Sequence, residues 1–446
     1  MKTKSIILTL LIMLSSVTFN VIAQSNIKIY GKNGNLKRSI GDIDLFIKGK
    51  GNFKIEYEGD IEVSDDDKEI VSISRGGFIE IKTSSFGKKR KLVIEAERGD
   101  LNRKYYVGRT EKSFEPEGKS WLAEILPDII RTTGIAAEAR VERFYNRGGA
   151  TAVLNEINEL KGDYSRSAYF RLLLERDLKS SDLIKLLSSA SKNITSDYYL
   201  SNILQKNQDK FLQNSETISA YIKATKSIKS DYYMSQVLMN AINSKKITDD
   251  QLDELLAISN NIDSDYYLSE VLRKILNNRS LNKSNMNKIM KLSSKIDSDY
   301  YKSEVLKEAL KKEDLSKENY NVFIASLGDV DSDYYAAGVI KGLLKKDLDD
   351  KTLSELLSLI EKNVDSDYYA SEVYKKLAKK DLTESQLIKV LENLTSISSS
   401  NYLSSSLVAF APKVKKSSQR VKDAYMERAK TISSDLYLGK AMKAVY

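Results

Sequence analysis

The chain has 446 residues, 71 basic and 62 acidic, with a formal net charge of +9, 41% hydrophobic residues, and neither Cys nor His. That absence excludes a Cys nucleophile, a Ser-His-Asp triad, zinc sites built on His or Cys, haem ligation and disulfides. The length exceeds what one compact core usually serves and predicts at least two structural units, and only 3 prolines suit long helical stretches.

The elements follow in chain order. Lys2 and Lys4 precede a mostly apolar run from Ile6 to Ile22, and Val21-Ile22-Ala23 offers a cut near Ala23-Gln24. Residues 1–23 therefore read as a secretory signal peptide. The rival reading is an uncleaved anchor, which Ser15, Ser16, Thr18 and Asn20 weaken. No later segment is apolar for long enough to span a bilayer, so the expected location is periplasmic or secreted, with no transmembrane segment after cleavage.

Residues 24–112 read as a small antiparallel β domain, a sandwich or open barrel of about six strands. Phe53-Lys-Ile-Glu-Tyr57 and Ile61-Glu-Val63 alternate apolar with polar residues. Ile70-Val-Ser-Ile73, Phe78-Ile-Glu-Ile81, Leu92-Val-Ile-Glu-Ala96 and Tyr105-Tyr-Val107 follow, parted by Gly59-Asp60, Asp65-Asp66-Asp67, Gly76-Gly77, Gly87 and Gly99-Asp100. Asp65-Asp66-Asp67 reads as a solvated turn, and Lys88-Lys-Arg-Lys91 as an exposed hairpin end with anionic-polymer binding as the alternative. Gly76-Gly77 is no phosphate loop, because no helix with Lys-Ser/Thr follows it.

From Phe114 the apolar period changes to that of a helix. Residues 113–162 read as a helical N-terminal cap: Trp121, Leu122, Ile125, Leu126, Ile129 and Ile130 up to Gly134, then Ala136 to Tyr145, then Val153, Leu154, Ile157 and Leu160 beyond Gly148-Gly149.

Residues 163–446 carry a nine-fold repeat of 34 residues. Ser-Asp-Tyr-Tyr recurs with its aspartate at Asp197, Asp231, Asp265, Asp299, Asp333 and Asp367, and weaker copies stand at Asp163, Asn401 and Asp435. A period of this length suits one helix-turn-helix unit. The fold class expected is mostly α: an α-solenoid of about nine helical hairpins, preceded by the small antiparallel β domain. The first helix of a repeat shows Val271, Leu272, Ile275 and Leu276. The second shows Leu252, Leu255, Leu256 and Ile262, with Ile218, Tyr221, Ile222 and Ile228, then Met286, Ile289, Met290 and Ile296, then Tyr320, Phe323, Ile324 and Val330 at the same phase. Thr248-x-x-Gln251 and Thr383-x-x-Gln386 read as capping boxes. Lys311-Lys312, Lys345-Lys346 and Lys379-Lys380 fall near the ends of first helices, where cations offset the macrodipole. The period equals that of tetratricopeptide repeats, but the Leu-Gly pair and closing Pro of that consensus have no counterpart.

Gly76-Gly-Phe-Ile-Glu-Ile81, Trp121-Leu-Ala with Leu126-Pro, Ile130-Arg-Thr-Thr-Gly-Ile-Ala-Ala-Glu-Ala-Arg-Val141 and Arg147-Gly-Gly-Ala-Thr-Ala-Val-Leu-Asn-Glu-Ile157 stand beside the Ser-Asp-Tyr-Tyr repeats. Together they resemble uncharacterised exported or periplasmic proteins of Gram-negative bacteria. They are also similar to the extracytoplasmic parts of membrane metallopeptidases of the β-lactam-sensor type. The resemblance implies no defined activity. The His-Glu-x-x-His site of such peptidases is absent from a chain without His, so at most the resemblance implies their sensing appendage.

The tyrosine pairs are the candidate site: Tyr198, Tyr199, Tyr232, Tyr233, Tyr266, Tyr267, Tyr300, Tyr301, Tyr334, Tyr335, Tyr368 and Tyr369. Adjacent helical residues point about 100° apart, so one ring of each pair is expected between layers and the other on a groove wall, repeating about every 10 Å. The alternative is that both only pack. Ser-Asp ahead of each pair reads as a helix cap, with an acidic ladder for Ca²⁺ or a basic partner as the minor alternative. One carboxylate per repeat falls short of the six to eight oxygens that Ca²⁺ takes.

These features point to an exported, noncatalytic binding or scaffold protein that engages a protein or extended peptide and needs no cofactor, metal or nucleic acid. Glycan binding along the tyrosines and a sensor accessory of an envelope system are the alternatives. A carboxylate-only enzyme stands last, since no paired Asp/Glu site stands out from the repeats.

Overall fold

The computed structural model describes residues 24–30, 38–84, 89–312, 317–346 and 349–446. The expected leader and Lys88 of the basic turn lie outside the described residues. The chain divides into two compact units, Met1–Ile203 and Leu204–Tyr446. It is an α-solenoid preceded by a small antiparallel β domain.

Among the described residues of the first unit there are nine strands: β1 (Gln24–Tyr30), β2 (Arg38–Ile47), β3 (Gly51–Glu58), β4 (Ile61–Val63), β5 (Ile70–Ile73), β6 (Phe78–Thr83), β7 (Arg90–Glu97), β8 (Asp100–Val107) and β9 (Thr110–Lys112). Seven of them make one open sheet in the order β1-β2-β3-β6-β7-β8-β9, and β4 pairs with β5 alone. One seven-stranded open sheet with a separate two-stranded pair thus takes the place of the expected sandwich or barrel. Register aligns Ile43, Ile55, Ile81, Leu92 and Tyr105 as neighbours across five strands. All five are fully buried, as period-2 alternation with one covered face requires.

Helix α1 (Lys119–Thr133) supplies that cover. Trp121, Leu122, Ile125, Leu126, Ile129 and Ile130 share one core with the sheet, and the Trp121 ring lies 5.8 Å from that of Tyr105. The apolar stripe read as a solenoid cap therefore closes the β sheet. Next comes α2 (Ala137–Glu159), which breaks regular geometry at Gly148 and at Gly149, where φ is +63°. Helices α3 (Asp163–Leu174), α4 (Ser180–Asn193) and the start of α5 (Asp197–Lys206) complete this unit.

The acidic turn has a role that its sequence did not suggest. Asp67, at φ +63°, is buried rather than solvated. Its carboxylate meets Arg140 from α2 twice, Nε to Oδ1 at 3.0 Å and Nη2 to Oδ2 at 2.6 Å. Arg143 Nη2 donates to Asp67 Oδ1 at 2.5 Å and Nη1 to the Ser64 carbonyl at 2.7 Å. Arg140 is fully buried and also donates to Glu156 Oε1 at 2.6 Å and to the Tyr169 hydroxyl. Every cation here has a carboxylate partner, which is the condition for keeping charges out of water. Burial would raise the Asp67 carboxyl, but the hydrogen bonds and charges of Arg140 and Arg143 outweigh it and hold the group below the usual range. Burial pushes the Tyr169 hydroxyl up to about 12.

In the second unit, helices that begin at the repeat signature alternate with partner helices. The signature helices are Asp231–Ile242, Asp265–Asn278, Asp299–Ala309, Asp333–Leu343, Asp367–Leu377, Ser400–Val414 and Asp435–Val445. Each packs on the next signature helix, and partner helices such as Asp249–Ser259, Lys283–Ser293 and Lys317–Leu327 likewise stack on one another. This gives the two layers of a solenoid. The apolar positions at 34-residue offsets form its core: Val271, Leu272, Ile275 and Leu276 are fully buried, as are Ile289, Met290 and Phe323. Tyr320 and Ile324 depart from this expectation and are only half-buried, since Phe323 and Leu327 fill the core side of their helix.

Both capping boxes are present, at Thr248–Gln251 and Thr383–Gln386. The lysines after the signature helices do more than offset a dipole. Lys346 Nζ donates to the Lys312 carbonyl at 2.8 Å and Lys380 Nζ to the Lys346 carbonyl at 3.0 Å, tying successive repeats at the helix C-terminal edge.

Candidate interaction surface on the repeat signature

The signature aspartate opens each helix, but the expected local cap is not what it makes. Ser264, Ser298, Ser332 and Ser366 occupy the N-cap positions without a side-chain cap bond. The aspartate instead reaches the next repeat. Asp265 accepts from Ser298 N at 2.8 Å and Asp297 N at 3.2 Å, and Asp299 from Ser332 N at 2.8 Å and Asp331 N at 3.3 Å. Asp231, Asp333 and Asp367 do the same to their own successors. In the first unit, Asp163 accepts from Thr195 N at 2.9 Å and Ser196 N at 2.7 Å. One carboxylate thus satisfies two amides at the entry of the following helix, a charge-assisted pairing that sets the spacing of repeats.

That staple places the tyrosines. In each of the six pairs the first ring is exposed, at 52% for Tyr198, 48% for Tyr232, 47% for Tyr266, 48% for Tyr300, 60% for Tyr334 and 48% for Tyr368. The second ring, at Tyr199, Tyr233, Tyr267, Tyr301, Tyr335 and Tyr369, is half-buried. The expected split of one ring inward and one outward holds in direction, but the rings do not separate. Within a pair they meet edge to face at 5.0 to 5.1 Å. Between repeats the exposed ring meets the half-buried ring of its successor: Tyr232–Tyr267 at 5.8 Å, Tyr266–Tyr301 at 5.7 Å, Tyr300–Tyr335 at 5.8 Å and Tyr334–Tyr369 at 5.9 Å. The second unit therefore carries one continuous ribbon of interlocked rings from Tyr233 to Tyr402. Pairs of this geometry attract beyond the area they bury.

Tyr402 is the member that sequence reading missed. Tyr368 meets its ring at 5.8 Å, which is the contact made elsewhere by a second tyrosine. The helix there starts at Ser400, so Ser400 takes the aspartate's place and Asn401 that of the first tyrosine. The repeat is one residue short at this point, whereas a fixed 34-residue offset puts Asn401 in the aspartate's position. Asp435 opens its own helix, with Leu436 in the first tyrosine's place and 65% exposed.

An acidic residue also recurs ahead of the last four pairs. Asp263, Asp297, Asp331 and Asp365, each two residues before a signature aspartate, are all exposed. Every repeat in this stretch thus presents an exposed tyrosine and, three residues before it, an exposed aspartate.

No protein-family model and no curated protein matches the chain. Among solved structures, one described as "Computational Design of Self-Assembling Cyclic Protein Homooligomers" aligns at 12% identity over 71% of this chain and 94% of its own, with a TM-score of 0.11. Among the described residues no helix is long and apolar enough to cross a membrane, and no group of three or more Asp or Glu is placed to hold a metal ion.

Proposed function

We propose that this is an exported, noncatalytic binding protein that holds an extended, basic segment of a partner protein along its tyrosine ribbon. The observation that carries the reading is the exposed ring repeated at Tyr232, Tyr266, Tyr300, Tyr334 and Tyr368, with an exposed aspartate three residues before each of the last four. Tyrosine offers an apolar face with a polar tip, and a cation over its ring gains attraction that a neighbouring carboxylate reinforces. Stacked helices advance about 10 Å per repeat. A polyproline II segment advances about 9 Å per three residues, so each third side chain meets an equivalent ring. Export is supported by the leader pattern of residues 1–23.

Titration of the full chain with a labelled (Lys-Pro-Pro) repeat peptide tests this reading, with the (Glu-Pro-Pro) peptide and soluble glycan oligomers as comparators. The basic peptide binds, and binding falls at least about tenfold when Tyr266, Tyr300 and Tyr334 become Ala together, about 1.4 kcal/mol by affinity arithmetic. Equal binding of the acidic peptide, or binding that survives loss of the three rings, overturns the proposal. Binding of glycan alone moves the ribbon to the sugar-binding reading.

A further inference from the structure

We propose that Lys341, Lys345 and Lys376 form a binding site for a phosphate group in a hollow opened by Gly338 and Gly342. The repeats supply their own comparison. Wherever the ninth residue of a signature helix between Asp265 and Leu377 is a cation, the residue three before it decides the partner. Glu270 pairs with Arg273 at 3.0 Å, Glu304 with Lys307 at 3.1 Å and Glu372 with Lys375 at 3.2 Å. Helix Asp299–Ala309 is followed by a second such pair, Glu308 with Lys311 at 2.9 Å. In and just after helix Asp333–Leu343 both cations are kept, Lys341 within the helix and Lys345 two residues past its end, and both glutamates are replaced, by Gly338 and Gly342.

Backbone geometry does not call for these glycines. Neither adopts a left-handed conformation, and both lie within the helix, where glycine is unfavourable. Packing gives a reason for Gly342 only, since a Cβ there would lie 3.0 Å from Leu310 Cδ1. At Gly338 a Cβ would make ordinary contact, 3.6 Å from Lys307 Cε. The consequence of the replacement is a hollow of about 740 Å³ onto which Lys307, Lys311, Lys341, Lys345, Lys346 and Lys376 all face, with no carboxylate lining it among the described residues. Lys307 and Lys311 are engaged by glutamates and Lys346 by the Lys312 carbonyl. Lys341, Lys345 and Lys376 make no ion pair among the described residues.

Lys341 and Lys345 both line this hollow with no carboxylate between them among the described residues, and like charges held close together repel. A group bearing two negative charges relieves that repulsion, and lysine binds phosphate as a point charge. Arginine, the residue suited to planar carboxylates, does not line the hollow. Its volume falls within the range of small-molecule sites and exceeds one phosphate. The group is therefore either a free phosphate with room beside it or the phosphate of a lipid headgroup.

Calorimetry of the full chain with inorganic phosphate, and flotation with phosphatidic acid vesicles against phosphatidylcholine vesicles, distinguish the two sources. Binding in either arm, weakened by salt, is the expected result. Gly338→Glu restores the repeat's own ion pair and weakens binding about tenfold or more, by the charge it returns to Lys341. Lys341→Gln with Lys345→Gln does the same without adding a side chain to the hollow. Lys223→Gln with Lys226→Gln removes equal charge from another helix and leaves binding within about twofold. Absence of binding in both arms overturns the proposal. So does unchanged affinity in Gly338→Glu and in the double variant, or an equal loss in the distant control.

Discussion

Two aspartates show how much a single carboxylate decides. Asp299 joins consecutive repeats by accepting from two amides of the next helix entry. Asp299→Ala leaves both amides without that acceptor and costs about 1–3 kcal/mol. Thermal melts of the variant should fall by several degrees, and a shift below about 1 °C would remove the staple as a stabilising contact. Asp67 works through charge. Its carboxyl is held below the ordinary value of 3.8 in the folded state, so its contribution is complete above that value and is lost as pH falls through the folded value. Acid unfolding of the first unit, followed below about pH 4, should therefore be steeper in the wild type than in Asp67→Asn. Near neutral pH the same variant loses about 3 kcal/mol, because Arg140 keeps its buried charge with one fewer carboxylate. Parallel acid limbs for the two proteins would refute this assignment.

At the scale of elements, the ribbon is at once structure and surface. Tyr300 touches Tyr301 within its pair and Tyr335 in the next repeat. Tyr300→Ala removes both edge-to-face contacts and should destabilise by about 1–3 kcal/mol, whereas Tyr300→Phe keeps both rings in contact and should stay within about 0.5 kcal/mol. Urea titration separates the two outcomes, and a neutral alanine variant would mean the rings are neighbours without mutual attraction. The same pair informs the binding proposal, since Tyr→Phe preserves the faces and deletes only the hydroxyl. The two edges of the signature layer differ in chemistry. Aspartates and tyrosines line the helix starts, while Lys346 and Lys380 close the helix ends onto neighbouring carbonyls, each sign of charge lying where the helix dipole favours it.

At the scale of the molecule, the second unit is a nearest-neighbour array in which each repeat buries its apolar face against the next. Leu306 is fully buried between such neighbours. Leu306→Ala should cost about 2–5 kcal/mol, felt first by the repeats it joins. Hydrogen exchange should accelerate in 299–343 before the rest of the unit, as expected where stability is local. Uniform acceleration across 204–446 would show the array unfolding as one cooperative block instead.

The sequence by itself determined the period, the succession of a β unit and helical hairpins, the two capping boxes and, Tyr320 and Ile324 apart, the core residues at 34-residue offsets. Each rests on short-range rules, namely alternation, helical spacing and local hydrogen bonds, that operate within one element. It also singled out the tyrosine pairs. Only tertiary structure decided what they and their neighbours do. The signature aspartate bonds the next helix rather than its own, Asp67 leaves a loop for a buried arginine, and a one-residue shortening puts Tyr402 into the ribbon. The hollow at Gly338 likewise appears only once neighbouring helices are side by side. These outcomes depend on which residues about 30 or 70 positions apart meet in space, and no local preference of the chain encodes that meeting.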